Sequence, residues 1–131
     1  MVKPVYSQRQ ELYDVVFILA QKMGFKVFDE LPPMNTPYPF VHLNRPSSRA
    51  VYHGKFYKAT EVPMTINVWG TQSDGGSHDL IMWQLEQELL KLEKTEHNFL
   101  KLLSLDTNTT RVVEDNEKLL HGTINVEYKL Y

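Results

Sequence analysis

Apolar residues recur at helical spacing in two segments of the chain, residues 7–23 and 77–95. Spacing of i, i+3, i+4 and i+7 places them on one face of a helix. The apolar stripes are Leu12, Val15, Val16, Leu19 and Met23 in the first segment and Ile81, Leu85, Leu89 and Leu92 in the second. Ser7 is a candidate N-cap of the first helix, and Gly24 is placed to end it. The pattern therefore predicts two amphipathic helices.

Apolar and polar residues alternate in two other segments, 61–69 and 120–130. A period of two places one face of a strand on a core and the other toward solvent. Pro63 cannot donate a backbone hydrogen bond, so it predicts an edge position or a bulge near the start of the first of these strands. Shorter strands are predicted at 25–29, 38–43, 99–105 and 111–114.

The connections are predicted from turn-forming residues. Four prolines make 31–39 a loop, because proline fixes φ and removes a donor. Residues 44–58 read as a long exposed connection, or a protruding hairpin that turns near His53 and Gly54. A polar turn is predicted at 106–110, and a tight turn at Asp115–Asn116.

This order of elements favours one α+β domain that spans residues 1–131. Strands outnumber helices, and short turns join several adjacent strands. We therefore expect an antiparallel or mixed β-sheet with the two amphipathic helices packed on one face and a long protruding loop or hairpin.

Composition excludes several classes of protein. The 131 residues include no cysteine, which excludes a disulfide scaffold, a thiolate metal site and a thiol nucleophile. No apolar run approaches the ~20 residues of a membrane span. The N-terminus carries no apolar signal core, so we expect neither a secreted precursor nor a membrane protein.

Charge is distributed unevenly along the chain. Residues 31–60 hold four basic and no acidic side chains, whereas residues 61–131 hold six basic and twelve acidic ones. One interpretation is solvated loop charge. The other is a chain with two complementary faces, suited to a charged partner or to its own neighbour in a ring.

The sequence offers no pattern typical of catalysis. Five histidines are scattered without the i, i+4 spacing of a zinc site. Ser47 and Ser48 lack the glycines of a nucleophile elbow, and the glycine-rich segment 70–76 lacks the lysine of a phosphate-binding loop. We therefore expect no catalytic residue, no cofactor and no metal ion, and predict that the protein is not an enzyme.

The basic segment carries the candidate contact residues. It interleaves cations with aromatics: Arg45, Arg49, Tyr52, Lys55, Phe56, Tyr57 and Lys58. Such side chains can stack bases and hold phosphates, but four charges make a small footprint for a duplex. Tyr, Phe and Arg are also enriched in protein interfaces, so an assembly or partner contact is favoured over DNA binding.

Several short motifs together carry a resemblance. They are Val27-Phe28-Asp29-Glu30-Leu31-Pro32, Tyr38-Pro39-Phe40-Val41, Ile66-Asn67-Val68-Trp69 and the final His121-Gly122 strand. Their order between two amphipathic helices resembles the tail-completion and tail-terminator proteins of long-tailed bacteriophages. The resemblance covers about residues 8 to 130, but the segment 44–58 does not match residue by residue.

The resemblance implies an α+β fold and a hexameric ring, a homo-oligomer at the end of the tail tube. Such a ring stops tube growth and joins the tube to the head connector or stopper protein. It implies a virion protein assembled in the host cytoplasm, with the tail tube protein and the connector as partners and non-specific passage of DNA through the ring. Three alternatives remain: a small α+β binding or regulatory module, a DNA-contacting protein, and an enzyme of unrecognised type.

Overall fold

The computed structural model of the protein describes residues 5–54 and 57–131. In that part of the chain the helices are α1 (Gln8–Lys22) and α2 (Gly75–Lys91). The strands are β1 (Val27–Phe28), β2 (Phe40–Leu43), β3 (Arg49–His53), β4 (Tyr57–Thr71), β5 (Leu100–Glu114) and β6 (Glu117–Leu130). A 3-10 turn at Gln72–Asp74 leads from β4 into α2.

Strand β4 is the centre of a mixed sheet with the order β1-β2-β4-β6-β5. On one side it pairs with β6 along Thr60–Thr71. On the other side of β4, strand β3 pairs with the N-terminal part of β4, and strand β2 pairs with the C-terminal part of β4. Only the β1–β2 pair is parallel among the pairs that these strands form. The α+β class, the mixed sheet and the 44–58 hairpin predicted from the sequence are confirmed.

The sequence predicted an edge position for the strand that contains Pro63. This prediction is wrong, because β4 pairs with other strands on both of its sides. The carbonyl of Thr65 accepts from the amide of Asn44 at 3.2 Å, so odd positions of β4 direct their backbone groups toward β2 and β3. Pairing with β3 ends at Glu61, and pairing with β2 begins at Ile66. The missing N–H of Pro63 therefore falls where β4 has no partner on that side.

Helix α1 has the predicted ends and a shifted buried face. Ser7 Oγ accepts from the amide of Gln10 at 3.2 Å, and Gly24 has a φ of +92° beyond the C-terminus. The fully buried positions are Leu12, Val16 and Ala20, at i, i+4 and i+8. The predicted members Val15, Leu19 and Met23 lie at the margin of that face and are half-buried.

The core lies between both helices and one face of the sheet. Even-numbered residues of β4 and β6 point into it: Val62, Met64, Ile66, Val68, Ile124, Val126, Tyr128 and Leu130. Helix α2 packs against them through Ile81, Met82, Leu85 and Leu89. Burial raises the pKa of Tyr128, whose hydroxyl donates to the carbonyl of Leu89 at 2.5 Å. This bond leaves no polar atom of Tyr128 unsatisfied within the core.

Strand β5 is continuous where the sequence predicts a turn. The prediction of a turn at 106–110 is wrong, because these residues pair with β6 from Asp106↔Asn125 to Thr110↔His121. Their side chains are exposed, so polar residues remain solvated while the β-branched threonines suit an extended backbone. The tight turn is confirmed: Asp115 and Asn116 have φ values of 46° and 66°, as in a two-residue hairpin loop.

Helix α2 begins earlier and ends earlier than predicted. Asp74 occupies the N-cap position without a side-chain capping bond, and Ser77 lies inside the helix. The chain leaves the helix at Leu92, and the amide of Leu100 then donates to the carbonyl of Glu93 at 2.8 Å. The segment that follows is therefore a loop between α2 and β5.

Glu11 fixes that loop to the start of α1. Its carboxylate, with a side chain 7% exposed, accepts from Thr95 Oγ1 at 2.7 Å, from the amide of His97 at 2.9 Å and from Asn98 Nδ2 at 3.2 Å. His97 Nδ1 lies 2.9 Å from its second oxygen. Burial opposes ionisation of this group, but the hydrogen bonds outweigh burial and lower the pKa of Glu11.

Glu11→Ala is expected to lower the free energy of unfolding by about 2–3 kcal/mol, because it leaves the buried hydroxyl of Thr95 and the part-buried donors of His97 and Asn98 unpaired. The pKa is lower in the folded than in the unfolded state. The stabilisation is therefore complete above the unfolded pKa and is lost as pH falls through the folded pKa.

Urea unfolding at several pH values measures both effects, with Glu86→Ala on α2 as the control. The control should change stability by less than about 0.5 kcal/mol. Equal losses in the two variants, or a Glu11→Ala loss that is the same at every acidic pH, would contradict this role of Glu11.

Gly122 lets α2 approach the sheet. A Cβ atom there would lie 2.5 Å from Met82 Sδ and 2.8 Å from Cε1 of His78, whose Nε2 donates to the carbonyl of Val68 at 2.8 Å. The Met82 side chain can move, but the hydrogen bond of His78 holds its ring in place. Gly122→Ala is therefore expected to lower the free energy of unfolding by about 1–3 kcal/mol.

Gly76, in the first turn of α2, provides the control, because it has open space around it. Gly76→Ala should therefore be neutral or stabilising in thermal unfolding; a Gly122→Ala variant as stable as Gly76→Ala would refute the close contact.

Candidate assembly surfaces

The β3–β4 hairpin presents a tyrosine and a lysine at one end of the sheet. Tyr52 lies opposite Lys58 in the pairing and is 72% exposed. The ammonium of Lys58 lies 6.0 Å from the centroid of the Tyr52 ring, within the range of a cation–π contact. Tyr57 begins β4. The predicted contact residues Lys55 and Phe56 lie outside the described residues.

Both arginines of the predicted set have partners within the chain. Arg49 forms an ion pair with Glu61 across β3 and β4. The guanidinium of Arg45 lies 4.4 Å from the centroid of the Tyr13 ring, and its Nη1 donates to Gln10 at 2.9 Å. The basic cluster of the sequence is therefore divided between the hairpin and helix α1. Sequence reasoning missed these partners because they lie outside the segment 44–58.

A second surface lies at the opposite end of the sheet. The proline-rich loop 31–39 and the tip of the β5–β6 hairpin border a groove of about 630 Å³, here called the acidic groove. Its walls include Tyr38, Phe40 and Trp69, and its rim carries Glu114, Asp115 and Glu117. The rings of Tyr38 and Phe40 stack with their centroids 5.3 Å apart. Burial, together with the charges of Glu117 and Glu114, raises the pKa of Tyr38.

The rim carboxylates carry uncompensated charge. Among the described residues, none of Glu114, Asp115 and Glu117 forms an ion pair. Lys118, which follows Glu117 directly and pairs with Val113 in the strand register, takes part in no ion pair among the described residues. The groove thus combines an aromatic wall with a negative rim. No pattern in the sequence predicted it, because its parts are some eighty residues apart.

A histidine and asparagine network joins three strands on the face of the sheet that the helices leave free. Asn67 donates through Nδ2 to the carbonyl of His42 at 3.2 Å and accepts from Nε2 of His121 at 2.8 Å. The ring of His121 stacks on Trp69 at 4.1 Å. Burial, and then the proximity of His78 and His42, lower the pKa of His121. These contacts hold β2, β4 and β6 in register.

The described part of the chain holds no group of three or more histidine or acidic side chains arranged to bind a metal ion. Within the same residues, no helix is long and apolar enough to cross a membrane. The features that the structure does bring together are two exposed surfaces at opposite ends of β4.

Solved structures share the fold. A chain in the structure titled "Virion of native gene transfer agent (GTA) particle" is 14% identical, with a TM-score of 0.61 over 94% of this chain and 95% of that one. A second solved chain, whose title states no function, is 11% identical with a TM-score of 0.58 over 97% of both chains. No curated protein matches the chain.

A family model described as "Tail completion protein gp17" matches residues 16–131. The match includes every strand of the sheet, helix α2 and the C-terminal part of α1. The chain therefore belongs to the tail completion protein gp17 family and is a structural protein of a bacteriophage-type virion tail.

Proposed function

We propose that copies of this protein form a ring that caps the end of the tail tube and joins it to the head connector, with the six copies that the sequence resemblance implies. The proposal depends chiefly on the match to the tail completion family, which spans residues 16–131. A ring requires heterologous contacts, in which one patch meets a different patch on the next copy. The hairpin and the acidic groove are two such different patches.

The outer edge of β5 supports an assembly role. In the described part of the chain, this strand of 15 residues pairs with β6 on one side only. Proteins usually shield a long strand edge, because its free N–H and C=O groups recruit other strands. An edge of this length is suited to contact with a neighbouring protein.

Helix α2 supports the same role through its outer face. Leu80, Trp83 and Leu90 are 52%, 54% and 51% exposed. Exposed large apolar side chains close to one another are typical of surfaces that become covered in a complex. We propose that α2 faces another virion component or another copy.

Passage of DNA through the ring is the last part of the proposal. The helix-free face of the sheet carries a polar row in which Thr65 Oγ1 donates to Asn125 Oδ1 at 2.8 Å. Asn125 Nδ2 in turn donates to Asp106 at 3.5 Å. Hydroxyl, amide and carboxylate groups along a channel would let a duplex pass without base-specific contacts.

Electron microscopy of tail tubes mixed with the protein tests the cap. Tubes from the cognate virus, purified without this protein, are expected to gain ring-shaped density at one end only. Tubes alone are the control. Binding along the whole tube, or density at neither end, would contradict the proposed function.

Neutralising the hairpin tests whether it takes part in joining. Lys55→Gln/Lys58→Gln is expected to reduce the yield of joined heads and tails at least tenfold, because it removes two cations from the predicted contact segment. Arg49 is left unchanged since it pairs with Glu61. Lys22→Gln/Lys26→Gln, an exposed pair near the end of α1, is the matched control. Unchanged joining in a folded hairpin variant, checked by circular dichroism, would remove the hairpin from the mechanism.

A further inference from the structure

We propose that the acidic groove of one copy binds the β3–β4 hairpin of the next copy. Lys58 then faces the carboxylates of the rim, and Tyr52 lies against the aromatic wall. This inference rests on the proposed function, because it names the contact that closes the ring. The groove and the hairpin of one copy lie at opposite ends of β4, and the inference names the hairpin of a second copy as the partner of the groove.

The two surfaces of one copy cannot reach each other. Tyr57 at the start of β4 and Trp69 in the groove are twelve residues apart on one strand. At about 3.3 Å per residue they are separated by about 40 Å. A hairpin that fills a groove must therefore come from another copy. Repetition of that contact joins copies head to tail, and such a heterologous contact forms a ring when the rotation between successive copies closes.

The charges of the two surfaces are complementary. Glu114, Asp115 and Glu117 have no ion pair among the described residues, and Lys58 has none there either. Arg45 and Arg49 already have partners within their own chain. Lys58 is thus a cation of the hairpin that remains available for a new partner. Opposite charges at separate patches favour the correct docking register and disfavour contacts between like ends.

The shapes and surface chemistry also agree. A groove of about 630 Å³ is of the size that accommodates a few side chains. Its wall of Tyr38, Phe40 and Trp69 suits an aromatic ring, and Tyr52 is 72% exposed in the free chain. Lys58 already lies next to the Tyr52 ring, so the cation and the ring would enter together. Aromatic residues buried in pockets are common anchors of protein interfaces.

Cross-linking between engineered cysteines tests the contact directly, since the chain has no cysteine of its own. Ala50→Cys lies on β3 two residues before Tyr52, on the same face of the strand, and Met34→Cys lies on the groove wall. Neither change removes a residue named in the contact. With a flexible bismaleimide, the double variant is expected to form covalent chains of three or more copies. Ala50→Cys/Glu93→Cys is the control and should give at most chance dimers.

The outcomes separate the inference from the proposed function. The same variants are treated with the cross-linker on tail tubes and also imaged by electron microscopy. Rings without covalent chains above the control level would overturn the inference and leave the cap intact. Cross-links from Met34→Cys to a tube or connector protein, rather than to another copy, would also overturn it. If neither rings nor covalent chains form, both the inference and the proposed function are refuted.

A charge exchange gives an independent test in the cross-linking background. Lys58→Glu and Glu117→Lys are each expected to lower the yield of covalent chains at least tenfold, because each places like charges together. Combined in one chain, they restore the opposite-charge contact and should recover most of the yield. Lys94→Glu, at an exposed lysine that belongs to neither the hairpin nor the groove, should have no effect. Failure of the combined variant to recover the yield would contradict the proposed pairing.

Discussion

The pairing of β4 with β6 is the interaction on which the rest of the structure depends. Twelve consecutive residues of β4 pair with β6, and the strict alternation of side chains then gives the sheet two different faces. Even positions such as Ile66 and Ile124 lie in the core under the helices. Odd positions such as Asn67 and His121 form the polar network on the other face. A shift of one residue would bury the polar set and expose the apolar one.

The length of the same strand separates the surfaces proposed for assembly. Because β4 continues beyond the core at its start, it carries the hairpin with Tyr52 and Lys58 to one end of the sheet. At its other end Trp69 meets the proline-rich loop and the acidic turn at Asp115. A compact sheet with short strands would bring these charges close enough to neutralise each other within one molecule. An elongated sheet leaves them for a neighbour.

Local patterns in the sequence predicted the helices and strands better than they predicted which segments of the chain lie next to each other. Alternation identified β4 and β6, and Ser7, Gly24 and Asp115–Asn116 marked ends and a turn that the structure confirms. The segment 106–110 was misread because its polarity reflects an exposed edge, and only the pairing with β6 shows that it is extended. The contact set 45–58 predicted from composition stays a prediction. Arg45 and Arg49 have partners that lie outside this segment of the sequence. The acidic groove is formed from segments that are far apart in the sequence and share no local pattern.

We propose that this tail completion protein acts through repeated head-to-tail contact between its own copies at the end of a tail tube. Cryo-electron microscopy of the intact virion measures this most directly. We expect a closed ring at the junction of head and tail, in which the hairpin end of every copy faces the groove end of the next. Copies present singly, copies related by two-fold axes with like ends in contact, or density for this chain at another place in the virion would contradict it.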